Sequence, residues 1–391
     1  MPTPVIVSAT RTAVGTAFKG SLVNTSAEDL STTILQEAVR RAGVDPAAVD
    51  DVIFAESHYG GGDLARFAAT ASGMATVPGQ AVSRHCAGSL TAVANASALI
   101  GYGVERIVVA GGVQSVSTGP SMKWRVPGTS DQFIDRWLPP THVATEDAPT
   151  ADMSITVGWN AAKALSLSRE AMDSWALRSH QRAIAAIDSG EFADEITPLK
   201  VLGADGELVD FSVDEHPRRS TTAEKLASLK PLHPEIDGFS ITAGNSSGIN
   251  DGAAALTVVD GDFAQAERLT AMATVRTWAN VAVEPRFTGL AAAQVIGKLL
   301  ERAGLSASDI ALWEINEAFA SVPIAACLEH GIDDDRVNVH GSGCSIGHAV
   351  AATGARMLTT LIHDLRRRGG GLGVAAMCAG GGQGGAMLIE V

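Results

Sequence analysis

The stretch AGVDPAAVDDVIFAE, Ala42 to Glu56, returns in altered form as AGLSASDIALWEINE, Ala303 to Glu317. Each passes from a helix-ending Gly through a short polar turn into an apolar run. The likeness continues beyond it. HCAGSLTAVANASALI, which holds Cys86, matches GHAVAATGARMLTTLI, which holds His348; VVAGGVQS matches MCAGGGQG, with Gly111 opposite Gly380. Three matches in one order at nearly constant offset describe two copies of a single unit. Working outward, PVIVSATRT reads as a buried strand over Val5 to Ala9. SAEDLSTTILQEAVRRAG reads as a helix capped by Ser26, with Leu30, Ile34, Leu35 and Val39 at helical spacing and Gly43 at its end. DDVIFAES and ERIVVAGG are further strands. Strands alternating with helices predict an α/β fold with mostly parallel, buried sheets.

Between the two copies lies an insert, Ser115 to about Lys200, that fits neither. The insert begins with the irregular, Pro- and Trp-bearing PSMKWRVPGTSDQFIDRWLPPTHVATEDAP and turns helical from Ser154 to Ser189. Loops of that length are commonly lids or binding loops; a surface excursion packed on itself is the other reading.

Composition narrows the function classes. With 46% apolar and 18% charged residues, the chain is not disordered. Its 41 Gly follow no period, which excludes a collagen-like structure. A net charge of −14 repels phosphate backbones, so nucleic acid is not expected as a partner. A phosphate-bearing ligand would need a local basic spot or backbone N–H groups. Four Cys without a CxxC pair suit reduced thiols and a cytoplasmic protein. There is no secretory signal at the start and no apolar run of ~18 residues, so no membrane role is expected.

Cys86 and His348 stand at equivalent loop-to-helix junctions of the repeat. A helix N-terminus stabilises a thiolate, and a nearby imidazole completes a Cys–His nucleophile. Taken alone, each has an ordinary reading: a small core thiol in an Ala-rich helix, a hydrogen-bonded structural His. As a symmetric pair they read as chemistry. Cys378 ends a strand before three glycines, where a second thiol suits proton transfer beside a stabilised oxyanion; a buried strand Cys before a tight turn is the alternative. Cys327 and Cys344 read as structural, and no spacing resembles a zinc site. In NEAFA, Asn316 can hold a water or donate to an oxyanion with Glu317 orienting it, or it can be a plain N-cap. TAGNSSGINDGAAA, Thr242 to Ala255, can grip an amide or a phosphate-containing tail; it lacks the GxGxxG and GKS/T patterns, so it does not read as a dinucleotide site or a P-loop. Arg218 and Arg219 form one compact basic spot, a phosphate dock or a solvated pair.

Taken together, SRHCAGSLTAV, GGVQSVS, TAGNSSGINDGAA, NEAFA, GSGCSIGH and MCAGGG resemble the thiolase family, from the first strand to the last residue. The resemblance implies a five-layered αβαβα fold from two duplicated halves, residues 1–115 plus 200–268 and residues 269–391, with 116–199 as a loop (lid) domain inserted in the first. It implies thiolytic cleavage of 3-ketoacyl-CoA, or the reverse condensation. Cys86 would carry the acyl group, His348 would take its proton, and Cys378 would move a proton on the acetyl-CoA carbon. Asn316, through a water, would join His348 around the enolate; the N–H groups of Cys86 and Gly380 would hold the tetrahedral oxyanion. Ser247, Arg218, Ala318 and Phe319 would meet CoA or substrate. No cofactor is implied beyond CoA and acyl-CoA as substrates. A homodimer or homotetramer is implied, and a degradative role in fatty acid β-oxidation is favoured. A β-ketoacyl synthase-like condensing enzyme and a non-catalytic acyl-CoA-binding protein are the competing readings. Departures from the family pattern are Ser83 in place of Asn, Ala87-Gly88-Ser89 after the nucleophile, and Ala349 in place of Pro.

Overall fold

In the computed structural model, residues 2–57, 59, 61–135, 140–203 and 205–391 are described; Trp137 of the inserted stretch lies outside them. The first half contributes β1 (Pro4–Thr12), α1 (Ala27–Ala42), β2 (Asp51–Glu56), β3 (Gly79–Val82), α2 (Gly88–Gly101) and β4 (Ile107–Gln114). After α3 (Arg169–Ser189) comes β5 (Asn250–Asp260). The second half contributes β6 (Ala273–Ala282), α4 (Ala291–Ala303), β7 (Leu312–Ile315), α5 (Ser321–His330), α6 (Thr353–Arg367), β8 (Leu372–Ala379) and β9 (Gln383–Glu390).

The strand orders repeat. One half runs β3-β2-β4-β5-β1 and the other β7-β8-β9-β6. In both, the β2–β4 or β7–β8 pair is parallel and the next two pairings are antiparallel. The sheets are therefore less parallel than the sequence pattern predicts. The reason is local: β8 and β9 are joined by a glycine turn too short for a crossover, and such a turn gives an antiparallel pair. The halves meet edge to edge, where Val5 pairs with Thr274 and Ile6 with Ala273.

Alternation along the strands sorts side chains into three cores. Val52 and Phe54 of β2 pack outward on α1, while Ile53 faces the central layer; Val374 and Ala376 of β8 pack outward with α4, while Ala375 and Met377 face that same central layer. The central layer is α2 and α6, which pack on each other and on both sheets. This gives five layers, helices–sheet–helices–sheet–helices. The two central helices meet closely at their starts: a Cβ on Gly354 would lie 2.7 Å from the Leu90 nitrogen, and Ser89 Oγ accepts the Ala355 N–H at 2.9 Å. That crossing sets the loops before α2 and α6 side by side.

Two local expectations are corrected. Sheet register places Gly111 opposite Phe54 and Ala376 opposite Ile315, so the counterpart of Gly111 is Ala376, not Gly380. Glycine identity misleads the match; strand pairing decides it. The helix expected from Ser154 to Ser189 is broken into Ser154–Trp159, Asn160–Ala164 and Arg169–Ser189. Ser166 turns left-handed at φ +52° and Ser168 caps α3 through the Ala171 N–H, which resets the helix.

Candidate active site

A cavity of about 590 Å³ collects residues from both halves and the insert. Cys86, His348, Cys378 and Gly380 all line it, as do Ser247, Ala318 and Phe319. Val116, Ser117, Met122, Met153 and Val157 supply the wall from the inserted segment.

Cys86 sits two residues before α2, on a turn where the Ala87 and Gly88 N–H groups donate to the carbonyls of Arg84 and His85. His85 holds a left-handed φ of +46°, a costly conformation for a non-glycine residue. The thiol is half-buried, and burial pushes it up to about 11; N–H groups of Gly380 and of Cys86 itself act the other way by stabilising the thiolate. At rest the Cys86 thiol is therefore neutral, with two donors already aimed at negative charge. Cys378 closes β8, fully buried; burial, then the neighbouring Cys86, raises it well above an ordinary thiol. It stays protonated and suits the role of acid.

His348 precedes α6. Its Nδ1 lies 2.8 Å from Thr353 Oγ1, and that hydroxyl spends its proton on the Ala349 carbonyl at 2.8 Å. The hydroxyl must then accept from Nδ1–H, which leaves Nε2 as the bare acceptor. Among the described residues Nε2 has no partner. Burial and the charge of Arg356 hold the imidazole down at about 4, so it is neutral and basic at physiological pH. Arg356 is itself fixed by Glu314 at 2.9 Å and Ser342 Oγ at 2.8 Å.

Asn316 is buried beside His348, with its amide 3.5 Å from His348 Nδ1 and its Oδ1 without a partner among the described residues. Glu317 does not reach it. Its carboxylate accepts from Trp175 Nε1 at 2.9 Å, Ser179 Oγ at 2.6 Å, Asn338 Nδ2 at 2.8 Å and the Cys344 N–H at 3.1 Å, so it ties the insert helix to the loops of the second half. Arg218 stands outside the cavity lining, and its N–H donates to His180 Nδ1 at 3.2 Å. Arg219 pairs with Asp188 at 2.5 Å. Cys327 and Cys344 lie away from the cavity.

Thr353 and Thr288 are not among the residues that the sequence singles out; Asn250 lies in the polar Thr242–Ala255 stretch but is not picked out within it. Thr288 lines the cavity; its hydroxyl donates to the Pro285 carbonyl at 2.5 Å and accepts the Gly382 N–H at 3.0 Å, which steadies the turn carrying Gly380. The only signal they share is a hydroxyl or amide near a reactive loop. Among the described residues no group of three or more His, Cys, Asp or Glu could hold a metal ion, and no helix is long and apolar enough to cross a membrane.

The N-terminal domain of the thiolase family matches residues 4–262 and its C-terminal domain matches residues 269–391. The chain is 40% identical to an acetyl-CoA acetyltransferase of Escherichia coli, over 99% of this chain and 98% of that one. It is 37% identical to a 3-ketoacyl-CoA thiolase of Bacillus subtilis, over the whole of both. Among solved structures, the Bacillus anthracis acetyl-CoA acetyltransferase superposes with a TM-score of 0.89 at 37% identity, and human mitochondrial 3-ketoacyl-CoA thiolase with 0.91 at 32%, each covering 100% of this chain and 99% of the other.

Proposed function

The chain belongs to the thiolase family, and on that premise we propose that it transfers acyl groups between CoA thioesters through an acyl-enzyme on Cys86. The observation that carries the site assignment is the convergence of Cys86, His348, Cys378 and Gly380 on one cavity.

In the thiolytic direction His348 Nε2 takes the Cys86 proton as the sulfur attacks the keto carbon of a 3-ketoacyl-CoA. The N–H groups of Cys86 and Gly380 receive the oxyanion. The bond between the keto carbon and the adjacent carbon breaks, and the acyl group stays on Cys86. The departing enolate lies by Asn316 and protonated His348, and Cys378 gives its proton to the carbon, releasing acetyl-CoA. The Cys378 thiolate then takes the proton of an incoming CoA thiol, which attacks the acyl-enzyme. The new acyl-CoA leaves, and His348 returns its proton to Cys86. Two half-reactions through one covalent intermediate give ping-pong kinetics. Ser247, Ala318 and Phe319 are read as the contacts to the CoA arm and substrate. Their place in the cavity lining supports this, whereas Arg218 has no such support.

The acyl preference is read as degradative, the location as cytoplasmic, and the assembly as a homodimer or homotetramer. A mouse relative at 36% identity is named as cytosolic, which supports the location. The test is direct: mix protein, free CoA and 3-ketoacyl-CoAs of increasing chain length, and follow the ketoacyl absorbance. Loss of absorbance is expected; none at any length rejects the reading.

A further inference from the structure

Asn250 and Asp251 open β5, and neither enters the chemistry above. Consecutive strand residues point to opposite sides, and here each side chain reaches a different wall of the cavity. Asn250 is buried and lines the cavity. Its Oδ1 accepts the backbone N–H of His348 at 3.0 Å, and its Nδ2 donates to the Gly15 carbonyl at 3.0 Å. The seat is close: Gly347 holds φ +108°, and a Cβ there would lie 2.6 Å from the Asn250 amide. Asp251 has no exposed surface. It accepts the Val116 N–H at 2.5 Å, the Ser117 N–H at 3.2 Å and the Ser117 hydroxyl. Ser117 Oγ in turn accepts the Phe18 N–H at 2.7 Å. Val116, Ser117 and Phe18 all line the same cavity.

One strand of the first half thus grips the base loop of the second half with one side chain and the start of the insert with the next. We propose that Asn250 and Asp251 are a positioning pair: Asn250 holds His348 within reach of Cys86, and Asp251 holds the Val116–Ser117 wall against bound substrate. The assignment rests on the reading of Cys86 and His348 as nucleophile and base. Its logic is geometric, since both halves supply reactive groups and their spacing depends on whatever ties one half to the other. Small displacements of reacting groups are costly in rate.

Two readouts separate the parts. Alkylation of Cys86 by iodoacetamide, followed by mass spectrometry, reports the base without substrate; turnover of 3-ketoacyl-CoA reports both walls. N250A is expected to slow alkylation and kcat by about ten- to a hundredfold with KM unchanged. N250D keeps an acceptor for the His348 N–H and can hold a proton for the Gly15 carbonyl, so it recovers most of both rates and guards against a folding artefact. D251N is expected to raise KM for the ketoacyl-CoA while kcat and alkylation stay near wild type. Unchanged alkylation and kcat in N250A overturn the proposal. So does an equal loss of kcat in N250A and D251N, which would make both residues plain fold supports. If the unaltered protein turns over no 3-ketoacyl-CoA, the thiolase reading falls, while the alkylation series still decides the role of Asn250.

Discussion

The ends of β2 and β7 occupy equivalent places in the two halves, yet they carry different groups. Phe54-Ala55-Glu56 stands where the second half has Ile315-Asn316-Glu317. Both glutamates are buried and both pin a loop: Glu56 accepts the Leu64 N–H, and Glu317 gathers Trp175, Ser179, Asn338 and Cys344. Between strand and glutamate, however, the first half has a methyl group and the second has the amide beside His348. The same contrast holds one strand over, where the register that aligns Gly111 with Ala376 sets Val113 against Cys378. Duplication thus supplied one frame twice, and reactive groups were placed unequally on it. The first half contributes Cys86; the second contributes His348, the Asn316 amide and the Cys378 thiol. On the proposed mechanism, acyl transfer belongs to one half and proton traffic to the other.

Removing each thiol in turn strikes this division of labour hardest. C86A is expected to lose acyl transfer by about 10⁴-fold or more and to form no acyl-enzyme. C378A is expected to accept an acyl group on Cys86 and then stall, visible as a burst without turnover. Equal behaviour of the two variants would erase the distinction between the halves.

The next effect concerns the tautomer. T353V removes the acceptor for His348 Nδ1–H and is expected to cost about 10- to 100-fold in kcat, with T353S restoring it. The pH profile sharpens the same point. His348 sits near 4 and is competent only when neutral, so acylation is retained above that value and lost as pH falls through it. On the alkaline side Cys86 near 11 means that iodoacetamide alkylation keeps rising past pH ~10, where an ordinary thiol with a pKa of about 8.5 has almost finished titrating. A plateau already at neutral pH would contradict a buried, protonated thiol.

Stability compares the two glutamates. E317Q replaces an acceptor of four hydrogen bonds and is expected to cost about 3 kcal/mol in urea unfolding; E56Q, where a single backbone N–H donates to Glu56 among the described residues, is expected to cost about 1 kcal/mol. The smallest effect on rate is at Thr288, where T288V frees the glycine turn: kcat is expected to fall about tenfold, with T288S close to wild type.

Much of this frame is readable from residues alone. The repeat exposes the duplication; Cys86 and His348 stand out as reactive side chains at loop-to-helix junctions, two residues before one helix and five before the other, and Cys378 stands out because three glycines follow its strand end. Asn250, Asp251, Thr288 and Thr353 do not, because their role lies in what they touch, across a long stretch of chain or within a single turn. An amide or hydroxyl in a polar stretch looks the same in either case. Adjacency in sequence suggests that Glu317 orients Asn316. The backbone turns the two apart, and the carboxylate serves the framework. Arg218 draws notice for its charge, which says nothing of the cavity it would face.

One experiment bears most heavily on all of this. The protein is mixed with acetyl-CoA alone, quenched in acid, digested and weighed peptide by peptide. An acetyl group on the peptide containing Cys86, and none on that containing Cys378, is the outcome the account requires; acetyl on Cys378, or on neither thiol, would contradict it.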